Sequence, residues 1–478
     1  MQNHTKIVAT IGPASEKKET LEKMILQGVD LCRLNFSHGT HSNHFKLIKN
    51  IRACEKKLKK PIAIIQDLQG PRIRIGNIGK NKISVKKNKK YVFSYHWKKQ
   101  KNILPVTHKD LYKDLKPGDR MLLNDGLLEM TVLDIKNHDI FAEAKGDGQI
   151  ETHGGINLPD TILNISALTE KDKKDVEFGI SKHVDYIALS FVTSASDIFD
   201  LRYLIEKVSK QTKTARRYPI KIIAKIEKHE AVTNIDEIID AADAIMIARG
   251  DLGIEILAEE VPIWQKTIID KCLQKAKPVI VATQMLDSMK INPKPTRAEV
   301  SDVANAVIDH ADAVMLSGET ATGIFPVETV SMMSKIVRET EKSIFDDLLK
   351  DNKISEMKEI SEALGRISDI LAESIGATLI LAASLTGATG RIISKFRPSM
   401  PIYVATESEE ASRQLTLSWG VIPFVLPICN SLEELVERSI NFLKANNAVK
   451  KGNKIIIIAG EPVGKSGNIN LVEIRDVK

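Results

Sequence analysis

The sequence predicts an α/β fold. It comprises a closed (β/α)8 barrel, a small β-barrel lid inserted into it, and an open α/β domain at the C-terminal end. Three observations carry that expectation. Short, nearly continuous apolar runs recur eight times, separated by stretches whose apolar residues return every three or four positions. Residues 72–160 break this rhythm with short alternating runs and little helical period. From residue 341 onward, strand-like and helix-like segments alternate again.

The eight runs are KIVATIG (6–12), DLCRLNFS (30–37), PIAIIQDL (61–68), VDYIALSF (184–191), IKIIAKIE (220–227), AIMIARG (244–250), KPVIVAT (277–283) and AVMLSGE (313–319). Strands this apolar are buried on both faces, so helices must cover both sides of a parallel sheet. The segments SEKKETLEKMILQG and ASDIFDLRYLIEKVSK have the spacing for that. Eight units favour a closed barrel of the TIM type over an open sheet, and the barrel is expected over 1–71 and 161–340. The insert, 72–160, carries turn signals at PGD (117–119), NDG (124–126) and GDG (146–148). Placed at the end of a barrel strand, it would close over the active face as a lid. The last block, 341–478, offers TLILAAS (378–384), PIYVATES (401–408), VIPFVLP (421–427) and KIIIIAGE (454–461) between helical segments, too few units for a second barrel.

Composition narrows the function classes. Of 478 residues, 43% are hydrophobic and 27% charged, which excludes a disordered chain. No apolar run approaches the ~20 residues of a membrane-spanning helix, and the start MQNHTKIVATIGPAS has neither a signal core nor a transit character. Cys32, Cys54, Cys272 and Cys429 have no paired spacing, which fits a reducing, cytoplasmic setting. The net charge is +7. Lysines crowd between Lys80 and Lys101, near Tyr91, Phe93, Tyr95 and Trp97. One reading is a nucleic-acid patch; the other, preferred, is a solvated β surface with an apolar inner face.

In a barrel, functional groups gather at the C-terminal ends of the strands. The second run ends Arg33-Leu-Asn35-Phe-Ser37-His38, whose alternate residues share one face of a strand. The third ends in Asp67, the fifth in Lys225-Ile-Glu227, the sixth in Arg249-Gly250-Asp251, the seventh in Thr283-Gln284, and the eighth in Ser317-Gly-Glu319-Thr320. Each is weak alone: a Lys-x-Glu pair is usually superficial, and Asp after a strand usually caps a helix. Together, Glu227 and Asp251 suit a hard divalent cation completed by substrate and water. A lysine beside them can neutralise charge on a phosphoryl group in transfer. Phosphoryl transfer is therefore the leading chemistry. Among the glycine-rich segments, Gly460 to Ser466 is one residue short of a P-loop, contains a proline and precedes no helix, so it is set aside. The turn Ser384-Leu-Thr386-Gly387-Ala-Thr389-Gly390 joins a strand to a helix. It reads either as a phosphate cradle or as an ordinary turn.

The segments TKIVATIGPAS, RLNFSHG, IIAKIEKHEAVTNIDEI, IMIARGDLGIEI, VATQMLDSM and PTRAEVSDVANAVIDHADAVMLSGETATGIFPVE resemble the pyruvate kinase family along nearly the whole chain. The resemblance implies a catalytic barrel, a β lid, a C-terminal regulatory domain and a homotetramer. It implies phosphoenolpyruvate and ADP as substrates and Mg²⁺, or Mn²⁺, as cofactor. Lys225 would stabilise the phosphoryl group in flight, and Glu227 and Asp251 would hold the metal. The backbone of Gly250 and Asp251, with Thr283, would hold the substrate carboxylate, and Ser317 would lie on the substrate side. Thr283 would also lie in the proton path to the enolate carbon. Arg33 would contact the transferred phosphate, supported by Arg74, and Thr10, Pro13, Asn35, His38 and Lys171 would meet the nucleotide. Asn124 stands where the family often has an acidic residue beside the equivalent of Asp125.

One departure concerns K⁺. Many members hold it with the equivalents of Asn35, Ser37, Asp67 and Leu68, the last two opening the stretch Asp-Thr-Lys-Gly-Pro-Glu. Here the chain reads Asp67-Leu68-Gln69-Gly70-Pro71-Arg72, resembling a branch that works without K⁺ and has a cation, usually lysine, in the glutamate's place. The Arg72 guanidinium is expected to supply the charge that K⁺ otherwise brings, leaving a vestigial K⁺ site. The resemblance also implies a phosphorylated activator at Ser384, Thr386, Gly387 and Thr389. Two other readings compete: a Mg²⁺-dependent barrel lyase acting on an oxo-acid enolate, which needs neither lid nor regulatory domain, and a silent effector-binding relative. Retention of Lys225, Glu227, Asp251 and Thr283 argues against the second.

Overall fold

The computed structural model describes residues 3–79, 82–96, 103–124, 126–161, 163, 165–212, 214, 218–346, 360–383, 387–460 and 469–478. Trp97, Asp125, Ser384, Thr386 and the glycine-rich residues 461–466 fall outside them.

Eight parallel strands close a barrel in chain order: β1 (Lys6–Thr10), β2 (Val29–Asn35), β3 (Ala63–Asp67), β4 (Tyr186–Leu189), β5 (Lys221–Ile226), β6 (Ala244–Ala248), β7 (Val279–Ala282) and β8 (Ala313–Leu316). Each pairs with its neighbours, and β1 pairs with β8 through Lys6↔Ala313 to Ala9↔Leu316. Side chains alternate between two cores, as the two-residue strand period requires. One set, including Val8, Leu31, Ile65, Ala188, Ile223 and Met315, fills the barrel. The other, including Ile7, Cys32, Ile64, Ile187, Ile222 and Val314, packs against the surrounding helices. Several helix starts are written into the sequence. Thr169 and Thr296 cap the helices Glu170–Ser181 and Arg297–Ile308 in reciprocal capping boxes with Asp172 and Glu299.

Between β3 and β4 lies the β-rich insert. A six-stranded sheet and a two-stranded ribbon, Lys82–Val85 with Gly148–Glu151, enclose one apolar core. Tyr91 and Phe93 belong to that core, 5% and 0% exposed, so they form no stacking surface for nucleic acid. The C-terminal sheet has the order β11-β10-β9-β12-β13, with β9 (Leu379–Ala383), β10 (Ile402–Thr406), β11 (Val421–Val425), β12 (Lys454–Ala459) and β13 (Leu471–Asp476). Its first four strands are parallel; β13 runs antiparallel to β12. No helix among the described residues is long and apolar enough to cross a membrane.

Candidate active site

The alternation that fills the barrel also builds the site. Two residues beyond the interior Val8, Leu31, Ile65, Ala188, Ile223 and Met315 come Thr10, Arg33, Asp67, Ser190, Lys225 and Ser317. Six strands thereby aim polar groups into the same end of the barrel. Lys225 stands at the centre. Its Nζ lies 2.9 Å from Glu227 Oε1 and 3.1 Å from Asp67 Oδ1, and donates to Ser190 Oγ at 2.7 Å. Arg33 donates through Nε to Asp67 Oδ2 at 2.6 Å and through Nη1 to Thr10 Oγ1 at 2.9 Å.

Burial here is severe, so the charges must answer one another. Desolvation alone would lower the pKa of Lys225, but Asp67 and Glu227 outweigh it and the net shift is upward. For Asp67, desolvation is likewise overcome, by Lys225 and Arg33, and its pKa falls. Both groups are therefore held charged. Glu227 moves the other way: burial raises its pKa against the pull of Lys225, and the charge of Asp251 adds to the rise. A site where two carboxylates repel each other in low dielectric is one that a divalent cation relieves. Among the described residues no group of three or more His, Cys, Asp or Glu is arranged to hold a metal ion. Two carboxylates suit a hard ion that keeps water and substrate oxygens, and the donor set fits Mg²⁺ in that sense.

The strands end earlier than the sequence pattern implied, and short helices or turns take over. Ser37 is not on the strand face with Arg33 and Asn35: β2 stops at Asn35, and the Ser37 N–H donates to Asn35 Oδ1 at 3.0 Å in the following turn. Gly250 and Asp251 lie in a helix, Arg249–Glu255, that starts directly from β6. Thr283 and Gln284 both adopt positive φ, +69° and +55°. Thr283 is β-branched, so that conformation is costly, on the order of 1–3 kcal/mol. Its Oγ1 accepts the Gly250 N–H at 2.7 Å.

The remaining expected residues fall around this centre. Arg72 reaches from the start of the insert to within 3.8 Å of Asp251 Oδ1. It lies directly over Gly155, where an added methyl group would sit 3.2 Å from its Nη2. Arg74 is turned into the insert, donating to the His153 carbonyl at 3.0 Å. Lys171 is anchored to the Phe36 carbonyl at 2.6 Å and to Asp175 at 2.7 Å, with His41 on the other Asp175 oxygen at 2.6 Å. His38 and Pro13 are exposed nearby in sequence to Asn35 and Thr10. The Leu68 carbonyl accepts from Ser190 Oγ at 2.7 Å. The Ser317 hydroxyl is buried without a hydrogen-bond partner. Far from the barrel mouth, Gly387 has φ +79°, and a Cβ there would lie 2.4 Å from Leu415 Cδ2; Thr389 is 5% exposed. Sequence reasoning missed Ser190, although the end-of-strand rule applied to the fourth run points at it. It also missed Asp175, which sits mid-helix with no local signal.

Two family profiles match the chain: pyruvate kinase, barrel domain, over residues 2–330, and pyruvate kinase, alpha/beta domain, over 362–475. A pyruvate kinase of Clostridium acetobutylicum is 40% identical over 480 residues, covering 99% of each chain. One from Geobacillus stearothermophilus is 42% identical, covering 99% of this chain and 80% of that one. The crystal structure of a pyruvate kinase from Cryptosporidium parvum superposes with a TM-score of 0.91 at 34% identity, covering 100% of this chain and 97% of the other.

Proposed function

The chain belongs to the pyruvate kinase family, and on that premise we propose how its barrel site moves the phosphoryl group of phosphoenolpyruvate to ADP. The observation that carries the proposal is the buried, charged Lys225 held by Asp67, Glu227 and Ser190, with Arg33 on the far side of Asp67. Two cations fixed in a desolvated site stabilise a phosphoryl group whose charge spreads over its oxygens in transfer. Asp67 does not join the reaction. It helps keep Lys225 charged and holds Arg33 and Lys225 at fixed spacing, so no reorganisation is needed when substrate arrives. Arg74, held from the insert, supports the phosphate region.

Glu227 and Asp251 would hold Mg²⁺, or Mn²⁺, which when bound neutralises charge on the phosphoryl and enolate oxygens. The Gly250 and Asp251 backbone, with Thr283, takes the substrate carboxylate. Thr283 lies in the proton path that runs from water to the enolate carbon and completes pyruvate, and Ser317 lies on the substrate side. Thr10, Pro13, Asn35, His38 and Lys171 face the nucleotide.

K⁺ independence is part of the proposal. Asp67, the carboxylate of the expected K⁺ set, already has Arg33 and Lys225, and the Leu68 carbonyl already accepts from Ser190. Arg72 brings a fixed cation beside Asp251. The activator is a phosphorylated metabolite at the turn before the helix Ala388–Ser394. The assembly is a homotetramer, which would cover the exposed Ile263, Ile291 and Ile324, and it works in the cytoplasm.

The test is pyruvate formation from phosphoenolpyruvate and ADP with Mg²⁺, with and without K⁺. Equal rates in the two buffers are expected. Lys225→Met should cost at least about 100-fold in kcat with circular dichroism unchanged; a full rate refutes the assignment. Arg72→Glu should lower the rate in Na⁺ buffer, and unchanged turnover there removes Arg72 from the scheme.

A further inference from the structure

Thr283 occupies its place against the rule that aims the other site residues. Ala282 is the interior residue at the end of β7, so strict alternation would turn Thr283 outward, toward the helices. The chain breaks the alternation by placing Thr283 and Gln284 consecutively in the left-handed region, at φ +69° and +55°. A β-branched residue stays there only when its surroundings over-determine it.

The contacts show what does so. Arg249 Nη2 donates to the Thr283 carbonyl at 3.0 Å, and the next residue, Gly250, donates its N–H to Thr283 Oγ1 at 2.7 Å. Both oxygens of Thr283 are thus gripped by consecutive residues from the end of β6. Arg249 is itself fixed. Its Nη1 and Nη2 meet the two carboxylate oxygens of Asp302, at 2.6 and 2.7 Å, from the helix Arg297–Ile308 outside the barrel. The Arg249 side chain is 11% exposed. A forked pair of this kind, with its guanidinium largely buried, sets the plane of the guanidinium as well as its position.

We infer that the Arg249–Asp302 ion pair is a positioning device for the reaction. It holds the Thr283 carbonyl and thereby keeps Thr283 Oγ1 on the Gly250 N–H at the barrel mouth, with its own O–H given to the Ala282 carbonyl at 2.6 Å until substrate arrives. This rests on the reading of Thr283 under the proposed function, as the group that meets the substrate carboxylate and lies in the water-fed proton path to the enolate. Neither Arg249 nor Asp302 needs to touch substrate for this role.

Two readouts test it on the full chain with Mg²⁺: kcat for pyruvate formation, and deuterium exchange into the methyl group of pyruvate in D₂O, followed by proton NMR. In the exchange, pyruvate loses a methyl proton to solvent, leaving the enolate, and takes back a deuteron; no phosphoryl transfer is involved. Asp302→Asn should lower both by the same factor, about 10–100-fold, the cost of misplacing a reacting group. Arg249→Lys, which keeps the charge but loses the fork, should do the same and stands in if the first variant does not fold. The decisive arm is rescue. The Gln284 side chain is exposed, and glycine accepts positive φ without steric cost. Adding Gln284→Gly to Asp302→Asn should therefore recover most of the loss, read against Gln284→Gly alone. A loss that this substitution does not recover, or no loss in either clamp variant, overturns the inference. Thr283→Ala separates the two levels. If it retains both rates, the reading of Thr283 fails and the clamp with it. If it loses them while Asp302→Asn and Arg249→Lys do not, the clamp alone is refuted.

Discussion

Ser190 shows how much of the site hangs on single polar atoms. Its hydroxyl accepts from Lys225 Nζ and donates to the Leu68 carbonyl, both at 2.7 Å. Ser190→Ala would remove one of three acceptors around a buried ammonium and leave a buried carbonyl without its donor. Hydrogen bonds to charged groups are worth about 1.5–3 kcal/mol, so kcat/KM for phosphoenolpyruvate should fall roughly 10–100-fold. Steady-state kinetics check this, and a wild-type value would mean that Asp67 and Glu227 suffice to hold Lys225. Much of the residue-scale site was legible from the sequence, because Arg33, Asp67 and Lys225 are inward residues at strand ends. Ser190 falls under the same end-of-strand rule, but a serine closing an apolar run reads as more strand and does not stand out. The strain at Thr283 was also hidden, because a positive φ imposed by Arg249 from another unit leaves no trace in the local residues.

At the scale of elements, the insert is fastened to the barrel through a small buried polar contact. Asn157 Nδ2 donates to Glu255 Oε1 at 3.0 Å, and Lys228 Nζ stands 3.9 Å from the other Glu255 oxygen. Burial raises the pKa of Glu255 against the pull of Lys228 and the Asn157 bond. Asn157→Leu should weaken the closed arrangement, leaving a buried carboxylate short of a donor at a cost of about 1–3 kcal/mol. Limited proteolysis within 72–160 should speed up, with the barrel's own protection unchanged; equal cleavage rates would show that the clasp does not govern lid opening. The barrel strands were readable because each is short and apolar and most are followed by a helical period, β3 being followed by the insert instead. The helix Arg249–Glu255 was not: Gly250 and Gly253 are poor helix formers, and its first residue continued an apolar run. The edge strand β13 was missed because LVEIRD mixes charges into a half-buried face.

At the scale of the whole molecule, the C-terminal sheet is joined to the end of the barrel opposite the site. Leu417 enters the barrel's interior core, beside Tyr186, whose hydroxyl donates to the Gln414 carbonyl. Lys6 Nζ donates to the Val421 carbonyl at 2.9 Å, and Arg397 pairs with Asp312 at 3.1 Å. Two histidines lie in this junction. His4 meets Trp419 edge-on, with ring centroids 4.5 Å apart, and the His310 carbonyl accepts from Arg397 at 2.7 Å. Burial, then the cations Lys6 and Arg397, lowers His4 to about 4; burial, then Arg397, lowers His310 to about 4. Both are neutral in the folded protein where an unfolded histidine, near 6.5, would already take a proton. Between about pH 6.5 and 4 the unfolded chain therefore binds more protons, and stability falls as pH falls. The loss is at most about 1.4 kcal/mol per pH unit for each histidine, and it levels off below pH 4, where both states are protonated. Carboxylates add their own acid dependence, so the informative quantity is the difference between proteins. Urea midpoints measured from pH 7 to 4.5 should decline less steeply in His4→Gln/His310→Gln than in the wild-type chain. Parallel slopes would place the acid sensitivity elsewhere and leave the junction held by Leu417 and the Arg397–Asp312 pair at every pH in that range.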